Sequence, residues 1–134
     1  MTSHAPAYFR AVALDYDGTL ADGRVKPDTL AALAEARARQ IRVIVVTGRI
    51  MSELQAVFPD AWDHVDAIVA ENGAVLATRA GVRLLAAPVD RSVSARLHAR
   101  GVAHRSGQVL VACAAKTAVP ADPPTWTARA WPPA

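Results

Sequence analysis

The feature that most constrains this chain is the run Ile41-Arg42-Val43-Ile44-Val45-Val46, apolar at almost every position. A strand with one wetted face alternates apolar and polar residues, so a nearly continuous apolar run reads as a strand covered on both faces, as in a parallel sheet. A second such stretch, Val12-Ala13-Leu14, follows Tyr8 and Phe9 and is too brief for a helix. Between the two, Pro27 suits a first helical turn, and Leu30, Leu33 and Ala34 recur at helical spacing with Glu35, Arg37 and Arg39 on the other side. A helix is predicted from Pro27 to Gln40. Strand, helix and strand in that order make a βαβ crossover, which implies an α/β fold with a parallel sheet.

The remaining elements extend the pattern. A second helix is predicted over Ile50 to Phe58, closed by Pro59, and Ala67-Ile68-Val69-Ala70 reads as a third strand. Asn72-Gly73 then signals a hairpin, because the favoured two-residue turn needs positive φ at both positions. Val75 to Leu85 suits a hairpin around Arg79-Ala80-Gly81, Val89 to Arg100 a helix ending at Gly101, and Gln108 to Ala112 a short strand.

The candidate chemistry lies where the first strand ends, at Asp15-Tyr16-Asp17-Gly18-Thr19. Alternation along a strand sends Asp15 and Asp17 to one side and Tyr16 to the other. Gly18 allows a backbone conformation or a close approach that a side chain would block. Open α/β sheets bind ligands at the carboxyl ends of their strands. Two neighbouring carboxylates repel unless a cation lies between them or one keeps a proton, and both arrangements serve phosphoryl transfer. One aspartate can attack phosphorus while the other moves protons. The alternative is an Asx-turn in which both aspartates only close the loop.

With these residues the chain resembles the haloacid dehalogenase-like phosphohydrolases, whose first motif, Asp-x-Asp-x-Thr after the first core strand, is matched by Asp15 to Thr19 at every defined position. The resemblance implies that Asp15 is the nucleophile and Asp17 the acid/base, with Mg²⁺ held by the Asp15 carboxylate and the Asp17 main-chain carbonyl. It also implies a phosphoryl-binding Thr or Ser after the next core strand, where Thr47-Gly48-Arg49 stands. Thr47 as a plain cap of a strand-to-helix turn is the alternative. Glu71-Asn72-Gly73-Ala74 looks like the branch with a large α/β cap inserted after the third strand, which includes Cof-like sugar phosphatases. Asn72 is then either a turn residue or one close to the ligand, and Gly18, Thr19 and Arg49 are adjacent to the site.

The resemblance gives the N-terminal part of a Rossmann-like core, residues 1–85 with the hairpin, followed by the beginning of a cap over residues 86–112. Two further family motifs have no match. Lys26 precedes the first helix and Lys116 lies in an Ala-rich stretch, and beyond Thr47 no two acidic residues are adjacent. Residues 113–134 are rich in Ala and Pro and lack any period, which predicts a disordered or loosely docked tail. With the two motifs missing, the resemblance implies a chain shortened relative to its relatives, by truncation or by a reading-frame change near Ala112.

Composition narrows the setting. The longest apolar run is too short to span a bilayer, and a single cysteine, Cys113, precludes an internal disulfide, so the expectation is a cytoplasmic protein. The net charge of +3 comes from scattered arginines without aromatic interleaving, which argues against nucleic acid. A phosphorylated small molecule is the expected partner. Two functions compete: a Mg²⁺-dependent phosphohydrolase working through an aspartyl-phosphate, and a non-catalytic remnant that binds phosphate or a partner weakly. A receiver domain phosphorylated on aspartate is a weaker third reading.

Overall fold

The computed structural model describes residues 8–113; the expected tail from residue 114 onward, with Lys116, lies outside them. Strand β1 (Ala11–Asp15) leads through helix α1 (Pro27–Ala38) to β2 (Arg42–Val46). Helices α2 (Met51–Val57) and α3 (Ala61–His64) then lead to β3 (Ala67–Ala70). A 3₁₀ turn at Glu71–Gly73 opens into β4 (Val75–Thr78) and β5 (Gly81–Leu84). Helix α4 (Arg91–Ala99) and the strands β6 (His104–Ser106) and β7 (Val111–Cys113) complete the described residues.

One sheet has the order β1-β2-β3-β4-β5, with β1, β2 and β3 parallel and β3, β4 and β5 antiparallel. β6 and β7 form a separate antiparallel hairpin. The expected α/β architecture with a Rossmann-like parallel sheet is therefore present, extended by a hairpin at one edge.

The two crossovers step in the same direction across the sheet, so right-handed connections place both on one face. The core lies there: Val43, Val45, Ile68, Ala70, Val75 and Ala77 meet Leu33, Met51, Leu54, Phe58, Ala61 and Val65. The opposite face is only partly covered, with Ile44, Val69 and Leu76 half-buried and Val46 exposed.

Several local expectations need correction. β1 is not a buried strand, since Ala11, Ala13 and Asp15 are exposed, and Tyr8 and Phe9 stand outside it with both rings exposed. Helix α1 buries Leu33 and packs Leu30 and Ala36 on the core, while Ala34 faces solvent. Arg37 is half-buried instead, because its guanidinium reaches the Asp63 carbonyl at 2.5 Å and the Asp66 carboxylate at 3.7 Å. The turn after β3 has positive φ at Asn72 and Gly73, as anticipated, but also at Glu71, and it spans four residues rather than two. The apolar run Gln108 to Ala112 is mostly a turn, not a strand, for a reason that lies in the site.

Candidate active site

The loop after β1 begins with the alternation expected of a strand end. Tyr16 is fully buried beside Phe58, and Asp15 and Asp17 point into solvent. The Tyr16 hydroxyl donates to the Gly23 carbonyl at 2.5 Å, and the Tyr16 carbonyl accepts from the amides of Leu20 and Ala21 at 3.0 Å. Burial, the largest influence, pushes the Tyr16 phenol above its usual range. Gly18 has φ +74 with no atom near the position of a Cβ, so it serves the backbone conformation and not a close approach. The Thr19 hydroxyl stands 3.5 Å from the Asp15 carboxylate, at the outer limit of a hydrogen bond.

Parallel register brings the second motif alongside. Asp15 is opposite Val46, so Thr47 leaves β2 where Asp15 leaves β1. Thr47 is 3% exposed, with its amide donating to the Val69 carbonyl at 2.9 Å and its hydroxyl accepting from the Arg49 amide at 3.1 Å. The Arg49 guanidinium closes the gap between the motifs. Its Nε meets Asp17 Oδ2 at 2.8 Å and its Nη2 meets Oδ1 at 2.7 Å, a bidentate fork, while its centre lies 5.7 Å from the Tyr16 ring. That fork, above all its hydrogen bonds, holds the Asp17 carboxyl below the usual carboxylate range and the Arg49 guanidinium above its own.

The third strand end supplies the floor. The Glu71 amide donates to the Arg49 carbonyl at 3.0 Å and the Asn72 amide to the Thr47 carbonyl at 3.3 Å. Asn72 Oδ1 lies where a Cβ on Gly48 would be only 2.7 Å away, so glycine lets the amide side chain approach the Thr47-Gly48-Arg49 loop. Asn72 is thus both a turn residue and a neighbour of that loop. The Glu71 carboxylate is buried and accepts the backbone amides of Gln108 and Val109 at 2.8 Å and of Leu110 at 3.1 Å. Those amides are consumed by the carboxylate, which is why residues 107–110 turn and the pairing resumes only at Val111.

A cleft of about 400 Å³ opens beside this assembly, lined by Asp17, Gly48, Arg49, Ile50, Glu53, Arg105 and Ala112. Of the residues predicted from the sequence, Asp17, Gly48 and Arg49 line this cleft, whereas Asp15 and Thr47 stand at the neighbouring strand ends without lining it. Glu53, Arg105 and Ala112 were not anticipated; Arg105 pairs with Glu53 across the cleft lining, but nothing in the local sequence of β6 marks it. Glu71 did carry a signal, because an acid directly after a buried apolar strand needs partners for its charge.

A family model for haloacid dehalogenase-like hydrolases matches residues 12–120. No curated protein matches the chain. Among solved structures, a haloacid dehalogenase-like hydrolase from B. subtilis is 25% identical over 72% of this chain and 35% of its own, with a TM-score of 0.54. A structure from a phosphoryl-transfer superfamily is 26% identical over 70% of this chain and 39% of its own, at a TM-score of 0.53. A sugar phosphatase of the superfamily's subclass IIB is 26% identical over 69% and 38%, at 0.51. The chain spans well under half the length of each of these structures. With a family match that takes in both strand-end motifs and the sheet between them, the chain belongs to the haloacid dehalogenase-like hydrolases.

Proposed function

We propose that this chain carries the nucleophile half of a phosphate-monoester hydrolase acting on a phosphorylated small molecule, in the cytoplasm. The observation that carries the reading is the juxtaposition, at the carboxyl ends of adjacent parallel strands, of the exposed Asp15 with the Thr47 loop. In this scheme an Asp15 carboxylate oxygen attacks phosphorus and the ester P–O bond breaks, leaving an aspartyl-phosphate. A protonated Asp17 gives its proton to the departing oxygen, then takes one from the water that cleaves the acyl-phosphate and frees inorganic phosphate. The Thr47 hydroxyl and the Gly48 amide orient the phosphoryl oxygens, with Thr19 and Asn72 bracing the two loops.

Asp17 imposes a condition on this cycle. While the Arg49 fork holds it, its carboxyl stays ionised, so the proton-donating step requires the fork to open and Asp17 to take up a proton. The same fork favours a second reading, a non-catalytic module in which the pair is permanent and the Thr47 loop only binds phosphate.

The donor set suits a hard cation. Asp15 offers an exposed carboxylate and Asp17 a main-chain carbonyl, and Mg²⁺ is commonly bound through one or two protein oxygens with water and substrate phosphate completing its shell. Among the described residues no cluster of three acidic, His or Cys side chains adds to them. When bound there, Mg²⁺ would neutralise charge on the phosphoryl oxygens. We read residues 1–85 as part of the hydrolase core and 86–112 as the opening segment of a cap.

The test is release of phosphate from an aryl phosphate with and without Mg²⁺, comparing the chain with Asp15→Asn. Loss of a Mg²⁺-dependent rate in the variant supports the hydrolase; equal rates leave the binding module.

A further inference from the structure

Among the described residues Glu71 is the one charged side chain that is buried, 1% exposed, and the hydrolytic scheme does not use it. Its backbone stands at φ +54, in the left-handed region that side-chain-bearing residues avoid. Such strain persists only where the surroundings over-determine it. Here the conformation lets one residue serve two segments. Its amide and that of Asn72 hold the carbonyls of Arg49 and Thr47, while its carboxylate takes three consecutive amides of the 108–110 turn. Gly107 completes the fit, since a Cβ there would fall 2.4 Å from the carboxylate, so the backbone runs directly against it.

The clasped turn joins the two strands that wall the cleft. Arg105 on β6 and Ala112 on β7 line it together with Asp17 and Arg49, and the Gly107 amide donates to the Leu110 carbonyl at 2.8 Å to close the hairpin. Val109 is buried in the core and adds a non-directional anchor. Three directional bonds to one carboxylate orient the turn, alongside the Val89 amide bonded to the Val109 carbonyl at 2.7 Å and the Arg105–Glu53 pair.

We propose that Glu71 is a positioning residue: its buried carboxylate clasps the 107–110 turn to the Thr47-Gly48-Arg49 loop, and so sets the β6–β7 hairpin, with Arg105, as one wall of the cleft. An anionic substrate entering beside Asp17 then meets Arg105 at a fixed place. The clasp itself is independent of catalysis, and only its effect on substrate rests on the hydrolase reading.

Amide hydrogen exchange on the full chain tests it. Glu71→Gln keeps the volume but turns an NH₂ toward the amide donors, so exchange over residues 104–113 is expected to rise about tenfold or more while β1, β2 and β3 stay protected. Gly107→Ala drives a methyl against the Glu71 carboxylate and forces it and the turn apart, and is expected to loosen the same ten residues. A uniform rise across the sheet, or no change over 104–113, overturns the proposal. If Glu71→Gln does not fold, Gly107→Ala decides alone by the same criterion. With an aryl phosphate, Glu71→Gln should raise KM and leave kcat, and should add nothing in an Arg105→Ala background. A fall in kcat with KM unchanged refutes the positioning role. If the chain shows no hydrolysis, the exchange result stands and the hydrolase reading fails separately.

Discussion

Replacing Arg49 with alanine tests the electrostatic core of the site. The variant removes a bidentate fork with bonds of 2.7 and 2.8 Å, so geometry alone would suggest a strong pair. Exposure argues otherwise, because the Arg49 and Asp17 side chains are 29% and 52% exposed and solvent screens them. Their coupling is therefore expected near the top of the range for surface pairs, about 0.5–1 kcal/mol, and smaller at high salt. A thermal-denaturation cycle of Arg49→Ala, Asp17→Ala and the double variant measures it. The ionisation of Asp17 is the sharper readout. Its carboxyl is depressed below 3.8 in the folded chain, so the fork's contribution is present above that value and lost as pH falls through the folded pKa. In Arg49→Ala the carboxyl should titrate closer to 3.8, followed by carbon-13 NMR of the side chain. An Asp17 that titrates identically in the two chains refutes the fork, and a coupling above about 2 kcal/mol refutes the argument from screening.

Two further outcomes follow from burial. Leu54 is 1% exposed among Phe58, Val65 and the sheet, so Leu54→Ala should cost about 2–5 kcal/mol in urea denaturation; a loss below about 1 kcal/mol would mean the core does not close around it. Glu71 feels desolvation, which raises its pKa, but the amides of Gln108, Val109 and Leu110 outweigh it and hold the carboxyl below 4.5. Its stabilisation is present above 4.5 and lost as pH falls through the folded pKa, so protection of the 104–113 amides should collapse at acid pH before that of β2; simultaneous loss in both would contradict this order.

How much was legible varied with the range of the interaction. The strand Ala67–Ala70 and the start of α1 at Pro27 were readable because alternation, apolar runs and proline geometry are local. The placement of Asp15 and Asp17 away from Tyr16 was readable for the same reason. The face of α1 is shifted from Ala34 toward Ala36 and the half-buried Arg37, whose guanidinium meets the Asp63 carbonyl and the Asp66 carboxylate, partners far from it in the chain. Val109 and Leu110 looked like strand residues, and only a carboxylate nearly forty positions earlier made them a turn.

By itself, then, the sequence determined the α/β class, the two strand-end motifs and the family they belong to, since each depends on side-chain order within one element. Tertiary structure alone decided that Arg49 grips Asp17, that Glu71 is buried and satisfied, and that Arg105 and Ala112 share a cleft with the first motif. The physical reason is that these are partnerships across a sheet end. A buried or paired charge takes its properties from groups that folding brings to it, and no local pattern encodes their arrival.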